Sequence, residues 1–409
     1  MQKQTGKKKL NLSIQILIGL AIGIVVGLIL PGDFASTWIK PFGTLFLNLI
    51  KMVVVPLVFT SIVVGTCGLN DARALGRLGS KTVVFYLFTT ALAVTIGLVA
   101  ANLFPVGRNL AFEMEAVTEA ETTSVVDTLL NIVPTNPIKA LAEGNMLQVI
   151  FFAIALGIGI LLCGEKGAPL QRGIGSLAEA MYALTGAIMK LAPIAVFALV
   201  CPVVAVNGPK SLLPMLGVIL TVYGACIFHA VLVYSAAVGG IAHISPVRFF
   251  KEAAPAMIFA FSSASSAATI PFSMEASERL GVPQSVRSFV LPLGATINMD
   301  GTAIYQGVCA LFIANAYGVN LTLQQQLVII LTCTLASIGT AGVPGAGAVM
   351  LTMVLSSVGL PAEGQAMGLV LGIDRILDMA RTCVNITGDI ACSVVVAASE
   401  KQLEPAPNQ

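Results

Sequence analysis

The residues with the most chemistry to offer lie near the C-terminal end, in the stretch GIDRILDMARTCVNITGD (372–389). On an ideal helix, at about 100° per residue, Asp374, Asp378, Arg381, Thr382, Asn385 and Asp389 fall within one arc of about 100°. Ile376, Leu377, Val384 and Ile390 take the opposite face. In a soluble domain such a stripe reads as a solvated face. Here it sits in an apolar run, 363–398, long enough to cross a bilayer. At that depth charged groups are costly, face the protein interior and mark substrate or ion pathways. A guanidinium forks onto a carboxylate, and Asp378, one turn before Arg381, can accept an ammonium. The two suit a substrate with an amine and an extra carboxylate, although the residues alone leave open a simple Asp378–Arg381 pair.

A second group is LGATINMDGT (293–302), midway along an apolar run at 289–315. Gly294 and Gly301 bracket Asn298 and Asp300. A helix unwound there frees backbone carbonyls beside a carboxylate, which are hard oxygen ligands for a cation. Four carboxylates at membrane depth in the last two spans (Asp300, Asp374, Asp378, Asp389) face two guanidiniums, Arg375 and Arg381. Bound Na+ or protonated carboxyls would offset the excess.

These groups need elements to hold them, and composition says where those elements sit. The chain has 409 residues, 56% hydrophobic and 10% charged, with mean hydropathy +0.92. Soluble domains carry about 25% charged residues, so this is an integral membrane protein. A net charge of +2 without a basic tract gives no sign of a nucleic-acid partner. Eight scattered cysteines with no CxxC read as buried packing residues. His229 and His243 are isolated in sequence and are expected neither to ligate metal nor to relay protons. No Ser–His, Ser–Lys or HExxH constellation supports an enzyme. An ion channel would also use broken helices, but would need no Arg–Asp pair matched to a zwitterion.

Apolar runs long enough to span occur at 12–30, 42–65, 82–104, 146–163, 177–206 and 212–241. The first follows a basic stretch with no small-residue cleavage site, so it reads as a retained span rather than a signal peptide. Lys3, Lys7, Lys8 and Lys9 place the N-terminus in the cytoplasm. Arg73, Arg77 and Lys81, then Lys166 and Arg172, then Arg248 and Lys251 fall inside after two, four and six spans. The acidic loop with Glu113, Glu115, Glu119, Glu121 and Asp127 falls outside, and the chain ends inside after Lys401. Residues 253–272, with FSSASSAATIP, are too polar and broken for a lipid-facing span and predict a re-entrant hairpin. The alternative is a helix with serines at a helix–helix contact. SIGTAGVPGAGAVM (337–350), inside 327–360, predicts a second hairpin entering from outside. The order hairpin–span, hairpin–span suggests an inverted repeat, which points to a transporter binding site.

NMDGT, SIGTAGVPGAGA and the series D-x-x-x-D-x-x-R-T-x-x-N-x-x-G-D resemble the prokaryotic glutamate/aspartate transporters, the dicarboxylate/amino acid:cation symporters. MVVVPLVFTSIVVG (52–65), NPIKALAEGNMLQVIFFAI (136–154) and KLAPIAVFALV (190–200) extend the resemblance over nearly the whole chain. It implies an all-α integral membrane fold of eight transmembrane helices plus two re-entrant helical hairpins, with inverted repeats and an elevator-type mechanism. It implies a homotrimer in the cell membrane, with both termini cytoplasmic. The scaffold would be 1–80 (spans one and two) and 109–210 (spans four and five). The transport domain would be 81–108 (span three) and 211–409 (span six, both hairpins and the last two spans).

Carried over by motif, the resemblance implies that Arg381 binds the substrate side-chain carboxylate and Asp378 its amine. Thr382, Asn385, Thr302, Ser266, Val343 and Gly347 would complete the pocket. One Na+ would use Gly294, Asn298, Asn385 and Asp389. A second would use Thr296, Ser337, Ile338 and Thr340. A third would use Tyr86, Thr89 and Thr90 with Asn298 and Asp300. Na+ is the coupling ion, and no prosthetic group is implied.

Three departures matter. Family members carry an arginine at the first hairpin tip or directly after the second Asp of the last span. Those positions are Ala264 and Met379 here, and Arg375 is expected to balance Asp374 or tune the same network. Gln306 follows Tyr305 where potassium-coupled animal members have a glutamate. Arg381 favours an acidic substrate. The expected function is Na+-coupled import of L-aspartate and/or L-glutamate, with H+ coupling or a C4-dicarboxylate substrate as alternatives. Asp378 argues against the last, since a dicarboxylate has no amine.

Overall fold

The computed structural model describes residues 12–74, 77–108, 110, 132–208, 212–338 and 346–404. Among them the chain is helical throughout, with no strand. Helices α1 (Leu12–Gly27), α2 (Lys40–Ala74) and α3 (Arg77–Leu103) come first. A short α4 (Pro137–Glu143) leads into α5 (Met146–Leu162), α6 (Ala168–Met189) and α7 (Ala192–Asn207). Helix α8 (Leu213–His229) passes through a π turn (Ala230–Tyr234) into α9 (Ser235–Ile241). Then come α10 (Pro246–Ser263), α11 (Ser266–Arg279), α12 (Gln284–Ile297), α13 (Asp300–Ala316), α14 (Leu323–Ala336), α15 (Ala346–Ser357) and α16 (Gln365–Ser399).

Four helical stretches are long and apolar enough to cross a membrane: Gly32–Cys67, Leu78–Leu103, Leu213–Ile241 and Gln365–Ser399. Large apolar side chains such as Ile22, Val25, Phe42, Phe88, Leu220 and Ile227 are exposed along α1–α3 and α8. A helix satisfies its own backbone, so such faces suit lipid rather than water.

The single span expected at 177–206 is two helices. Helices α6 and α7 meet at a 53° bend. Pro193, at the start of α7, has no N–H to donate and suits a first helical turn, so it favours a new helix beginning there. The cysteine expectation also needs correcting, because Cys163 is exposed and Cys383 only partly buried.

The first hairpin is present. Ala264 takes a left-handed φ of 49°, which reverses α10, and the Ser265 side chain accepts from Ala268 N–H to cap α11. The two helices pack on each other, so the alternative of one continuous serine-bearing helix is not realised. Helices α14 and α15 likewise pack together, and the Gly/Pro-rich tip between them, 339–345, lies outside the described residues. The segments after the two helix pairs differ: α12 and α13 are separate helices, broken at Asn298–Met299, whereas α16 runs unbroken for 35 residues.

Helices α13 and α16 are buried over almost their whole length and pack against each other. Helix α3 covers α13, and α10, α11 and α12 cover α16. Elsewhere α1 lies along α7, and α2 packs against α5, α6 and α7. Helix α16 meets α7 where Gly368 and Gly372 face Leu199 and Val200.

Candidate substrate and cation site

The polar stripe of α16 faces inward. Asp374, Asp378, Arg381, Thr382, Asn385 and Asp389 are all buried. Side chains tilt toward the helix N-terminus, so Arg381 reaches back over the preceding turns. Its Nη2 donates to Asp378 Oδ1 at 2.7 Å and its Nη1 to Asp374 Oδ1 at 2.8 Å. The guanidinium lies 4.1 Å above the Tyr305 ring, a cation–π contact. The Asp378–Arg381 pair left open by the sequence therefore forms, with Asp374 as a second partner.

Arg375 was expected to balance Asp374 or to tune the same network; among the described residues it has no contact with Asp374, but it does reach the network through Asp378. Adjacent residues point about 100° apart, whereas residues seven apart return to one face, so Asp374 meets Arg381. Arg375 has its Nη1 3.8 Å from Asp378 Oδ2 and donates from Nη2 to the Ser263 carbonyl at 3.3 Å. Two carboxylates and two guanidiniums thus balance here.

The first turn of α15 lies directly against this group. A Cβ at Gly347 would stand 2.7 Å from Arg381 Nη1, so only glycine lets the backbone of α15 approach the guanidinium. On the other side, a Cβ at Gly301 would collide with the Arg381 backbone carbonyl, so glycine also sets the closeness of α13 and α16.

Deeper in the protein, the break between α12 and α13 leaves Asn298 extended, with φ −89° and ψ 106°. Asn298 Nδ2 donates to the Asn385 carbonyl at 2.8 Å and to Asp389 Oδ1 at 3.0 Å. Gly301 N–H donates to Asn385 Oδ1 at 2.8 Å, and Asn385 Nδ2 lies 3.4 Å from Thr302 Oγ1. Tyr86 Oη and Asp389 Oδ1 both crowd the position a Cβ on Gly294 would take. Asp300 is fully buried and accepts from Thr90 Oγ1 on Oδ1 at 2.7 Å and from Tyr234 Oη on Oδ2 at 2.8 Å. Asp300 and Asp389 have no guanidinium beside them among the described residues. Asn298 Oδ1 is buried and, among the described residues, unpartnered. An orphaned acceptor on a side chain that also meets the Asp389 carboxylate is the kind of oxygen set that fits a hard cation.

A family model described as "Sodium:dicarboxylate symporter family" matches residues 12–399. The chain belongs to that family. It is similar to the proton/sodium-glutamate symport protein of Geobacillus stearothermophilus, 39% identical over 97% of this chain and 96% of the relative. It is also similar to the proton/glutamate-aspartate symporter of Escherichia coli (strain K12), 37% identical over 97% and 94%. The C4-dicarboxylate transport protein 2 of Bradyrhizobium sp. (strain ORS 278) is 36% identical over 98% and 92%. These are symporters, not enzymes, and this chain is a multi-pass membrane protein.

Of the residues expected at the sodium:dicarboxylate symporter's site, Arg381 meets Asp378 and the backbone at Gly347, and Asn385 meets Thr302 and Asn298. Asn298, Asp389, Gly294 and Tyr86 gather in one chain of contacts. Thr90 reaches Asp300, while Thr89 donates to the Tyr86 carbonyl. Ser266 is buried at the start of α11 and Thr382 on α16. The hydroxyls expected under the second hairpin turn to their own helices. Exposed Thr296 donates to the Leu293 carbonyl and buried Ser337 to that of Thr334, with Ile338 alongside. Thr340 and Val343 lie outside the described residues.

Sequence reasoning missed the pairing of Asp374 with Arg381 and the parts of Tyr305, His229 and Tyr234. His229 is not isolated, because its Nε2 sits 3.1 Å from Asp300 Oδ2. His243 is exposed, at φ 55°. The i, i+7 spacing of Asp374 and Arg381 was a usable signal. Nothing in the sequence linked His229 to NMDGT.

Proposed function

We propose that this symporter imports L-aspartate and/or L-glutamate, driven by the Na+ gradient. The observation that carries this reading is how the buried charge divides. The group around Arg381 is internally balanced, while Asp300 and Asp389 stand deeper, beside the unpartnered Asn298 Oδ1. Unbalanced buried carboxylates need cations or protons, so substrate and coupling ions have separate places in one chamber. The naming of relatives as glutamate and glutamate-aspartate symporters supports the substrate class.

In this reading Arg381 exchanges a protein carboxylate for the substrate's side-chain carboxylate, and Asp378 receives the amine. Thr382, Asn385, Thr302, Ser266, Val343 and Gly347 complete the pocket. Gly294, Asn298, Asn385 and Asp389 hold one Na+, and Tyr86, Thr89, Thr90, Asn298 and Asp300 hold another. Thr296, Ser337, Ile338 and Thr340 form a third place under the second hairpin. The fold is read as eight transmembrane helices plus two re-entrant hairpins in an inverted repeat, with both termini cytoplasmic. Residues 81–108 and 211–409 move as an elevator against a scaffold of 1–80 and 109–210, in a homotrimer. The packing of α3 and α8–α16 around α13 and α16 supports that division.

A second reading is H+ coupling. Relatives named as proton symporters favour it, since protons would also neutralise Asp300 and Asp389. Labelled aspartate uptake into proteoliposomes, with Na+, H+ and K+ gradients imposed separately, tests both. Concentrative uptake with Na+ alone is expected. Uptake driven by a pH gradient in Na+-free buffer would install the second reading, and competition by succinate as strong as by aspartate would overturn the substrate.

A further inference from the structure

His229 and Tyr234 are fully buried and converge on one oxygen of Asp300, Oδ2, at 3.1 and 2.8 Å. They are five residues apart. On a regular α-helix that spacing turns side chains about 140° from each other, and they would not share an atom. The chain between them is the π turn Ala230–Tyr234. Such a turn takes in an extra residue, which carries position i+5 back toward the face of position i, and these turns recur at functional sites. The two rings then pack edge to face, with centroids 4.9 Å apart and planes at 85°, so each fixes the other's orientation.

The donor count on Asp300 gives this convergence a consequence. A carboxylate has about four lone-pair sites, two per oxygen. His229 and Tyr234 fill those of Oδ2, and Thr90 takes one on Oδ1 at 2.7 Å. Facing an ionised carboxylate, His229 Nε2 carries the N–H, and Nδ1 is buried and unpartnered among the described residues. The remaining acceptor site is therefore on Oδ1.

We propose that His229 and Tyr234 are positioning residues that lock the Asp300 carboxylate with Oδ1 presented to a transported cation, and so set the affinity for that cation without touching it. The inference rests on the reading of Asp300 as a cation ligand. Partners of this kind typically change metal affinity about 10- to 100-fold when removed.

The test is Na+ titration of the purified full-length protein in detergent, without substrate, read as the Na+-dependent rise in unfolding temperature. Size-exclusion profile and helical circular dichroism of each variant are recorded alongside. His229→Ala is expected to raise the half-saturating Na+ concentration about 10-fold or more. His229→Gln keeps an N–H donor and should return it to within about 3-fold of the parent. Tyr234→Phe, which removes a single hydroxyl, should raise it severalfold and serves if His229→Ala does not fold.

A role in packing alone would lower the unfolding temperature without moving the Na+ midpoint. That result in His229→Ala and Tyr234→Phe overturns the inference, as does a Gln variant no better than Ala. Asp300→Asn separates the two levels. If it leaves the Na+ midpoint unchanged, Asp300 is no ligand, and both the reading and the inference fall. If it shifts the midpoint while the His229 and Tyr234 variants do not, only the inference falls.

Discussion

Asp374 Oδ1 accepts from Nη1 of Arg381 at 2.8 Å across two turns of α16. With Asp378 on Nη2, both terminal nitrogens of the guanidinium face the protein's own carboxylates, while its Nε is buried and unpartnered among the described residues. On the proposed reading a substrate carboxylate meets a guanidinium that already carries two ion pairs, so it joins or exchanges partners in a paired group rather than neutralising a bare buried charge.

Replacing Arg381 by Gln should abolish recognition of acidic substrates. Removing one partner of a buried, hydrogen-bonded charge pair costs about 2 kcal/mol or more, or roughly 30-fold in affinity. Asp374 left without its cation, and Asp378 left with only Arg375 at 3.8 Å, deepen the loss. Competition of unlabelled against labelled aspartate in proteoliposomes measures it, and unchanged aspartate affinity would remove the central assignment.

Asp378→Asn should separate amino acids from plain dicarboxylates. On the proposed reading the carboxylate that would receive the amine is gone, so aspartate affinity should fall about 30-fold by the same estimate. Succinate, with no amine to place, loses nothing and meets less repulsion. Inhibition of residual uptake by succinate should therefore hold or strengthen. Equal loss of both ligands would mean that Asp378 serves only to position Arg381.

Much of this chamber was legible before any coordinates. The arc on α16, the interruption at 293–302 and the broken polar stretch at 253–272 are local signals of periodicity, glycine spacing and polarity, and the helix breaks at Asn298–Met299 and Ala264 fall within the last two. Three features were hidden for physical reasons. The break between α6 and α7 hinges on Pro193 inside an otherwise continuous apolar run. The alternative pairings of Asp374, Arg375, Asp378 and Arg381 differ little in spacing, and the packed structure decides among them. His229 reaches Asp300 through a π turn, which α-helical periodicity conceals.

Gly301→Ala should destabilise the fold itself. The added methyl would meet the Arg381 backbone carbonyl, carbonyl carbon and Cα, atoms of a buried helix that cannot turn away. Overpacking of this kind costs about 1–3 kcal/mol, and separating α13 from α16 also strains the Gly301 N–H bond to Asn385 Oδ1. A lower unfolding temperature together with weaker Na+ protection is expected. A parent-like unfolding temperature would show that the two helices are not held this closely.

Gly347→Ala makes a contrasting case. Its methyl would meet the Arg381 guanidinium, 2.7 Å from Nη1, at the far end of a side chain that can yield. The fold should hold, but the guanidinium must leave its two carboxylates or keep α15 from closing. Aspartate affinity is expected to fall about 10-fold, the equivalent of about 1.4 kcal/mol, with the unfolding temperature little changed. Binding by titration calorimetry beside a thermal melt checks both halves.

Arg375 ties the last helix to the first hairpin. Its Nη2 donates to the carbonyl of Ser263, the last residue of α10, where helix-end carbonyls lack intrahelical partners and a cation is favoured. Its other contact, 3.8 Å to Asp378 Oδ2, is long and contributes little. Arg375→Ala should therefore leave aspartate affinity within about 5-fold, by the roughly 1 kcal/mol of one such hydrogen bond. The hairpin end should loosen, with faster amide exchange around 262–266 and a changed rate of uptake at saturating substrate. Arg375→Lys keeps a cation in reach of the carbonyl and should restore much of the protection. If Arg375→Ala transports at the parent rate and affinity, with unchanged exchange at the hairpin, the tie has no part in transport.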